Sequence, residues 1–336
     1  MAEKVRRKRE GELAAGVYRS ESRKQWKDFK AEFEVKISAG MVPSTKRITS
    51  DALKHFERLV KPGKMQSITT RTIDEYVSKR RVERGKKRGS KVSPATINKE
   101  LRHLKAALRI AGEWKYLPEI PTIRMLREPE KLPRYIPPEH FAAIYGKCDV
   151  ATLPDDQNYP AGDWWRAMLT FAYMTGWRLM EPLSLNRTDL DMEAGMATTR
   201  HRDNKGKRDE VVPLHPIVIE HLTKLAGFGP VVFPWNYDRA KLWKVFHEIQ
   251  RAAEIHLPCT DAEDHECTDA CHVYGFHDCR RAFATLNAET LSANAMQKLM
   301  RHRSYQTTQR YINMAGQLKG AVETLHVPDV LKVGIG

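Results

Sequence analysis

Four short stretches of the chain hold side chains of the kinds that bind anions, move protons or attack as oxygen nucleophiles. In "KLMRHRSYQTTQRYINM", residues 298–314, Tyr311 stands nine positions after His302 within strongly basic surroundings. In "YGFHDCRRAFAT", His277 and Arg280 are three apart, which puts both on one face if the segment is helical. Arg178 lies just past Gly176, the end of "DWWRAMLTFAYMTG", and "KGKRDEVVPL" sets Lys205 and Lys207 at a β-turn. Taken singly, each has an ordinary explanation. A tyrosine is most often buried with a satisfied hydroxyl, a lone arginine is a surface charge, turn lysines are solvated, and HxxR arises by chance. The whole chain leans the same way: 57 Lys+Arg against 42 Asp+Glu give a net charge of +15, which points to a polyanionic partner such as nucleic acid.

Such residues need elements to hold them. At 336 residues and 41% hydrophobic content, the chain has room for two domains with real cores. Residues 1–20 are polar, charged and expected to be flexible. Residues 21–117 carry helical signals: Ser50 and Asp51 precede Leu53, Phe56, Leu59 and Val60, and a second helix carries Ile73, Tyr76 and Val77. In "SPATINKELRHLKAALRIAGEW", Ser93 caps and Pro94 suits the first turn, while Ile97, Leu101, Leu104, Leu108 and Ala111 form one apolar face. The opposite face offers Lys99, Arg102, Lys105 and Arg109, which together with the upstream run "KRRVERGKKRGSK" are candidate DNA contacts or simply a solvated surface. Six prolines between Pro118 and Pro138 mark residues 118–137 as a linker. Beyond it, helical patterns such as "NYDRAKLWKVFHEIQRAAEI" alternate with three strand-like segments, "GMATTR", "DEVVPL" and "GPVVFPW". No apolar run approaches the roughly 18 residues that span a bilayer. The basic start has no apolar stretch after it, so the expectation is a soluble cytoplasmic protein with no membrane partner.

The order and spacing of the four stretches resemble those of the tyrosine recombinases, or phage integrases. The resemblance runs through "TGWRLMEPLSL", a turn lysine eight residues before the proline of "VVPL", "HDCRR", and a histidine nine residues before a tyrosine. It implies a mainly α protein of two domains. The first is a helical, SAM-like core-binding domain that binds DNA. The second, over 138–316, is a mixed α+β catalytic domain with a small antiparallel sheet. By position, Arg178, Lys205, His277, Arg280, His302 and Tyr311 match the family's catalytic residues, Lys205 being preferred to Lys207 by its distance from Pro213. Tyr311 would then be the nucleophile that forms a 3′-phosphotyrosine, Arg178 and Arg280 would clamp the non-bridging oxygens with His302 as a third donor, Lys205 would protonate the leaving 5′ oxygen, and His277 would act as a base or hold the site together. No cofactor is needed for this catalysis. Metal-dependent phosphoryl transfer would need clustered carboxylates, and Asp155–Asp156 and "DAED" stand apart from the basic set. Double-stranded DNA and a homotetramer on paired sites are the implied partners. A type IB topoisomerase-like strand transferase and a non-enzymatic DNA-binding relative are the alternatives.

One stretch departs from the family pattern. "EIHLPCTDAEDHECTDACHVYG" holds His256, Cys259, His265, Cys267, Cys271 and His272, enough for a structural zinc on Cys259, Cys267, Cys271 and His265, or else a polar loop of reduced cysteines. Cys279, inside the HxxR segment, reads as a core residue. The tail, 317–336, with Leu318, Val322, Leu325, Val327, Val330 and Leu331, is expected to pack on a neighbouring protomer or to close its own domain.

Overall fold

The computed structural model describes residues 23–85, 89–129, 134–201, 208–225, 229–255 and 273–302, the turn 306–308, and the single residues 3, 6, 7, 10, 14, 227, 257 and 304. The chain divides into two compact units near residue 130.

The first unit is helical: α1 (Trp26–Lys36), α2 (Pro43–Val60), α3 (Thr70–Val82) and α4 (Pro94–Glu113). Its core is aromatic at one end, where Trp26 meets Phe56 at 5.2 Å between ring centroids and Phe56 meets Tyr76 edge-on at 5.5 Å. The stripe of α4 continues it: Ile97, Leu101, Leu104, Leu108 and Ala111 are all buried. Each large apolar side chain removed from water in this way contributes about 1.5–3 kcal/mol before chain entropy is counted. Ser93 caps α4 as its sequence implies, its hydroxyl accepting the Thr96 N–H at 3.3 Å. Lys99, Arg102, Lys105 and Arg109 occupy the exposed face, where Arg102 pairs with Glu128 at 3.4 Å and Arg109 with Glu113 at 3.0 Å.

Ser50 and Asp51 do not start α2; Pro43 does, and the neighbouring Thr49 is accommodated inside the helix by donating its hydroxyl to the Thr45 carbonyl at 2.9 Å. Nor is the run "KRRVERGKKRGSK" wholly a solvated surface. Arg80 is buried, with Nε and Nη2 on the Glu100 carboxylate at 3.0 and 2.7 Å. The proline-rich stretch also begins as part of this unit: Ile123 is buried in its core, and the Asn98 amide bonds both the N–H and the carbonyl of Leu126, at 2.7 and 2.9 Å.

The second unit is built around α6 (Ala161–Thr175), with α5 (Pro138–Gly146) before it and the one-turn α7 (Met180–Leu183) after it. A three-stranded antiparallel sheet follows, formed by β1 (Leu190–Asp191), β2 (Met196–Thr199) and β3 (Glu210–Pro213) in sequential order, with Ala197 opposite Val212. Then come α8 (Pro216–Thr223), α9 (Arg239–Ala252), α10 (Phe276–Leu286) and α11 (Ala293–Met300). The segment "GPVVFPW" is not a third strand of the sheet. Val231 makes a single bridge to Asn186, while Val232 and Phe233 drop into the core, and β1 takes the edge instead. Trp165 of α6, Phe246 of α9 and Phe276 of α10 stack together, with Phe246 and Phe276 at 4.8 Å between ring centroids. This aromatic layer fixes the start of α10, and with it His277. Cys279 is fully buried and its thiol pKa is raised by desolvation, as befits a core residue.

Candidate active site

The site begins where α6 stops. Gly176 adopts the left-handed conformation, φ +62°, and a Cβ there would meet the Phe283 ring at 2.9 Å. Only glycine makes this turn against that ring without strain. Thr175 steadies the turn, its hydroxyl donating to the Phe171 carbonyl at 2.7 Å and accepting the Trp177 N–H at 3.2 Å. The chain then delivers Arg178, whose N–H donates to the buried Glu181 carboxylate at 2.7 Å and whose Nη1 reaches the same carboxylate at 3.3 Å.

The start of α10 is set by Asp278, which accepts the Gly275 N–H at 2.8 Å and pairs with Arg281 at 2.8 Å. His277 and Arg280 follow on one face. Arg280 is buried and donates from Nη1 to the Gly176 carbonyl and from Nη2 to the Met300 carbonyl. One arginine thus ties the end of α6 to the end of α11. At that end Arg301 takes a left-handed φ of +53°, and His302 turns inward, its Nδ1 at 3.0 Å from the Thr308 hydroxyl. A helical turn at 306–308 opens with the Thr307 N–H on the Ser304 carbonyl.

Arg178 and His277 line one cavity of about 350 Å³ with Trp177, Arg239, Trp243 and Phe276. A second, of about 400 Å³, is bordered by His302, Lys298, Gln297, Arg208 and Glu210. Electrostatics tie the groups together. Desolvation, then the Arg280 and Arg178 cations, push the His302 pKa down to about 3, so its ring is neutral at ordinary pH. His277 is more open to solvent, yet desolvation and the neighbouring Arg281, Arg280 and Arg178 hold its pKa below the usual value. The permanent positive charge therefore resides on the arginines, and the imidazoles are available as neutral hydrogen-bonding or proton-accepting groups.

Of the six catalytic candidates, Arg178, His277, Arg280 and His302 come together; Lys205 and Tyr311 lie outside the described residues. So do Lys207, the candidate zinc ligands Cys259, His265, Cys267 and Cys271, and the tail at 317–336. Glu181, Arg301 and Thr308 were not singled out by the sequence. Glu181 had a legible signal, one helical turn after Arg178; Arg301 looked like one more charge in a basic run.

Residues 147–317 match the model of the phage integrase family. The chain belongs to that family. Among similar proteins, the tyrosine recombinase XerA of Pyrococcus furiosus is 26% identical over 251 residues, covering 71% of this chain and 77% of the relative. Among solved structures, a lambda integrase dimer bound to a COC′ core site superposes with a TM-score of 0.66 at 17% identity, covering 87% of this chain and 97% of the other. A lambda integrase tetramer bound to a Holliday junction gives 0.64 at 16% identity, with 89% and 80% covered. These likenesses bear out the mainly α fold with its small antiparallel sheet. No helix among the described residues is long and apolar enough to cross a membrane.

Proposed function

We propose that the protein is a site-specific DNA recombinase that cuts and rejoins strands through Tyr311. The phenolic oxygen attacks a backbone phosphorus, giving up its proton to His277 or to water. The P–O5′ bond breaks as Lys205 protonates the departing oxygen, and a 3′-phosphotyrosine remains. A phosphodiester is exchanged for a phosphodiester, so resealing needs no other energy source. Arg178 and Arg280 stabilise charge on the non-bridging oxygens and neutral His302 adds a donor. The reading is carried by one observation: Arg280 bonds the carbonyls of both Gly176 and Met300, so the segments bearing Arg178 and His302 meet at the helix that bears His277. Family membership supports the same chemistry.

The helical unit is assigned the core-binding role on double-stranded DNA, with the basic face of α4 toward the phosphates. By analogy with the lambda integrase tetramer on a Holliday junction, the working form is a homotetramer on paired sites. The insert between α9 and α10 is assigned one structural zinc on Cys259, His265, Cys267 and Cys271; elemental analysis of purified protein should find about one zinc per chain, and metal-free, fully stable protein would contradict it.

The test of the function is a plasmid carrying two copies of the flanking sequence of the gene's own genomic element. Recombination restricted to those copies supports a site-specific recombinase. Relaxation of any supercoiled plasmid without site preference would instead favour a topoisomerase.

A further inference from the structure

Arg301 is an expensive residue in its place. It holds a left-handed backbone, φ +53°, that glycine adopts at no steric cost. Its side chain is 3% exposed, its charge is desolvated, and among the described residues neither Nε nor Nη1 meets a hydrogen-bond partner. Two contacts hold the guanidinium: it lies over the Trp177 ring at 4.2 Å from the centroid, and Nη2 donates to Glu181. A stabilising role alone would favour a smaller residue that can relax at this turn.

The division of Glu181 explains what Arg301 does. Oε2 of Glu181 accepts both the Arg301 Nη2 and the Arg178 backbone N–H, whereas the Arg178 guanidinium has one long contact, 3.3 Å, to Oε1. The Arg178 side chain is one-third exposed and lines the cavity it shares with His277. A buried carboxylate left without Arg301 would draw Arg178 inward as its nearest remaining cation. Building on the recombinase reading above, we propose that Arg301 is a positioning residue for strand cleavage: by taking up the charge of Glu181 it leaves the Arg178 guanidinium available to the scissile phosphate.

The test is single-turnover cleavage of a nicked DNA substrate at saturating protein, with DNA affinity and thermal stability measured alongside. Arg301→Gly suits the left-handed backbone and is expected to bind DNA as the wild type does while cleaving about 10²-fold more slowly, as for a lost transition-state donor. Adding Glu181→Gln removes the charge that captures Arg178 and should return cleavage to within about tenfold of wild type. Arg301→Lys, which keeps a cation near Glu181 but loses the planar stacking on Trp177, should cleave faster than Arg301→Gly. A purely structural residue gives no such rescue, so a double variant no faster than Arg301→Gly overturns the proposal, as does wild-type cleavage by Arg301→Gly. Loss of folding in both the single and the double variant also overturns it, because Arg301 would then serve the fold. If the wild type itself does not cleave, it is the recombinase reading that fails.

Discussion

Glu100 in the helical unit and Glu181 in the second unit are both nearly fully buried and both bonded by arginine, but their surroundings differ. Around Glu100 every polar group is matched. Arg80 donates from Nε and Nη2 to Glu100 and from Nη1 to Glu83 at 2.7 Å, and the Tyr76 hydroxyl donates to Glu100 at 2.6 Å. Around Glu181 the matching is incomplete: among the described residues Arg301 has two nitrogens without partners, and Arg178 lines a cavity. A closed network of this kind fixes helices in place, whereas the open one holds charge ready for an anion.

The largest expected effect breaks the two networks in turn. Arg178→Ala should lower cleavage by at least about 10²-fold with little change in stability. Arg80→Ala strands the buried Glu100 charge and should cost about 3–5 kcal/mol of stability, while the protein that remains folded cleaves normally. Denaturant titration and a cleavage assay on both variants check this; the reverse pattern would erase the distinction. Leaving-group chemistry sharpens it further. Lys205→Ala should cleave about 10²–10⁴-fold more slowly and be rescued by sulfur at the bridging 5′ position, since a thiolate leaves without a proton. Arg178→Ala and Arg280→Ala should not be rescued, because the sulfur replaces no charge on the non-bridging oxygens. Rescue of Lys207→Ala instead would assign the general acid to Lys207.

A smaller effect lies in the pH dependence of the DNA-free protein. Folding lowers the His302 pKa to about 3, while an unfolded chain holds histidine near about 6.5. The unfolded state therefore takes up the proton first. Stability from the neutral ring is complete above about pH 6.5 and is lost as pH falls toward 3, by at most about 1.4 kcal/mol per pH unit. His103, His247 and His277 are shifted the same way, so His302→Gln should flatten the fall in urea-measured stability between pH 6 and 4 without abolishing it. An unchanged slope would assign the titration to other groups. The smallest effect belongs to the exposed face of α4. Lys105→Ala should weaken DNA binding uniformly across sequences and reduce the slope of log affinity against log salt by about 1.

Local signals explain what the sequence made legible. Ser93, Pro94 and the period of Ile97, Leu101 and Leu104 report a helix because cap, first turn and stripe all lie within a few residues of one another. The glycine turn before Arg178 and the His277–Arg280 pair are local in the same sense. Ser50 and Asp51 look like a helix start yet lie inside α2, where the neighbouring Thr49 bonds within the helix and contacts His103 of α4 at 2.8 Å. "GPVVFPW" has strand composition but its apolar residues are claimed by the core. Glu181 and Arg301 are 120 residues apart, and no periodicity records their pairing.

Attack by Tyr311 on a phosphate held by the arginine set is checked by trapping the covalent intermediate. On a nicked suicide substrate, denaturing gels should show a 3′-linked protein–DNA complex for the wild type, and none for Tyr311→Phe, which should still bind the same DNA. Persistence of that complex in Tyr311→Phe would contradict the account and would move the nucleophile elsewhere, with Tyr305 the next residue to test.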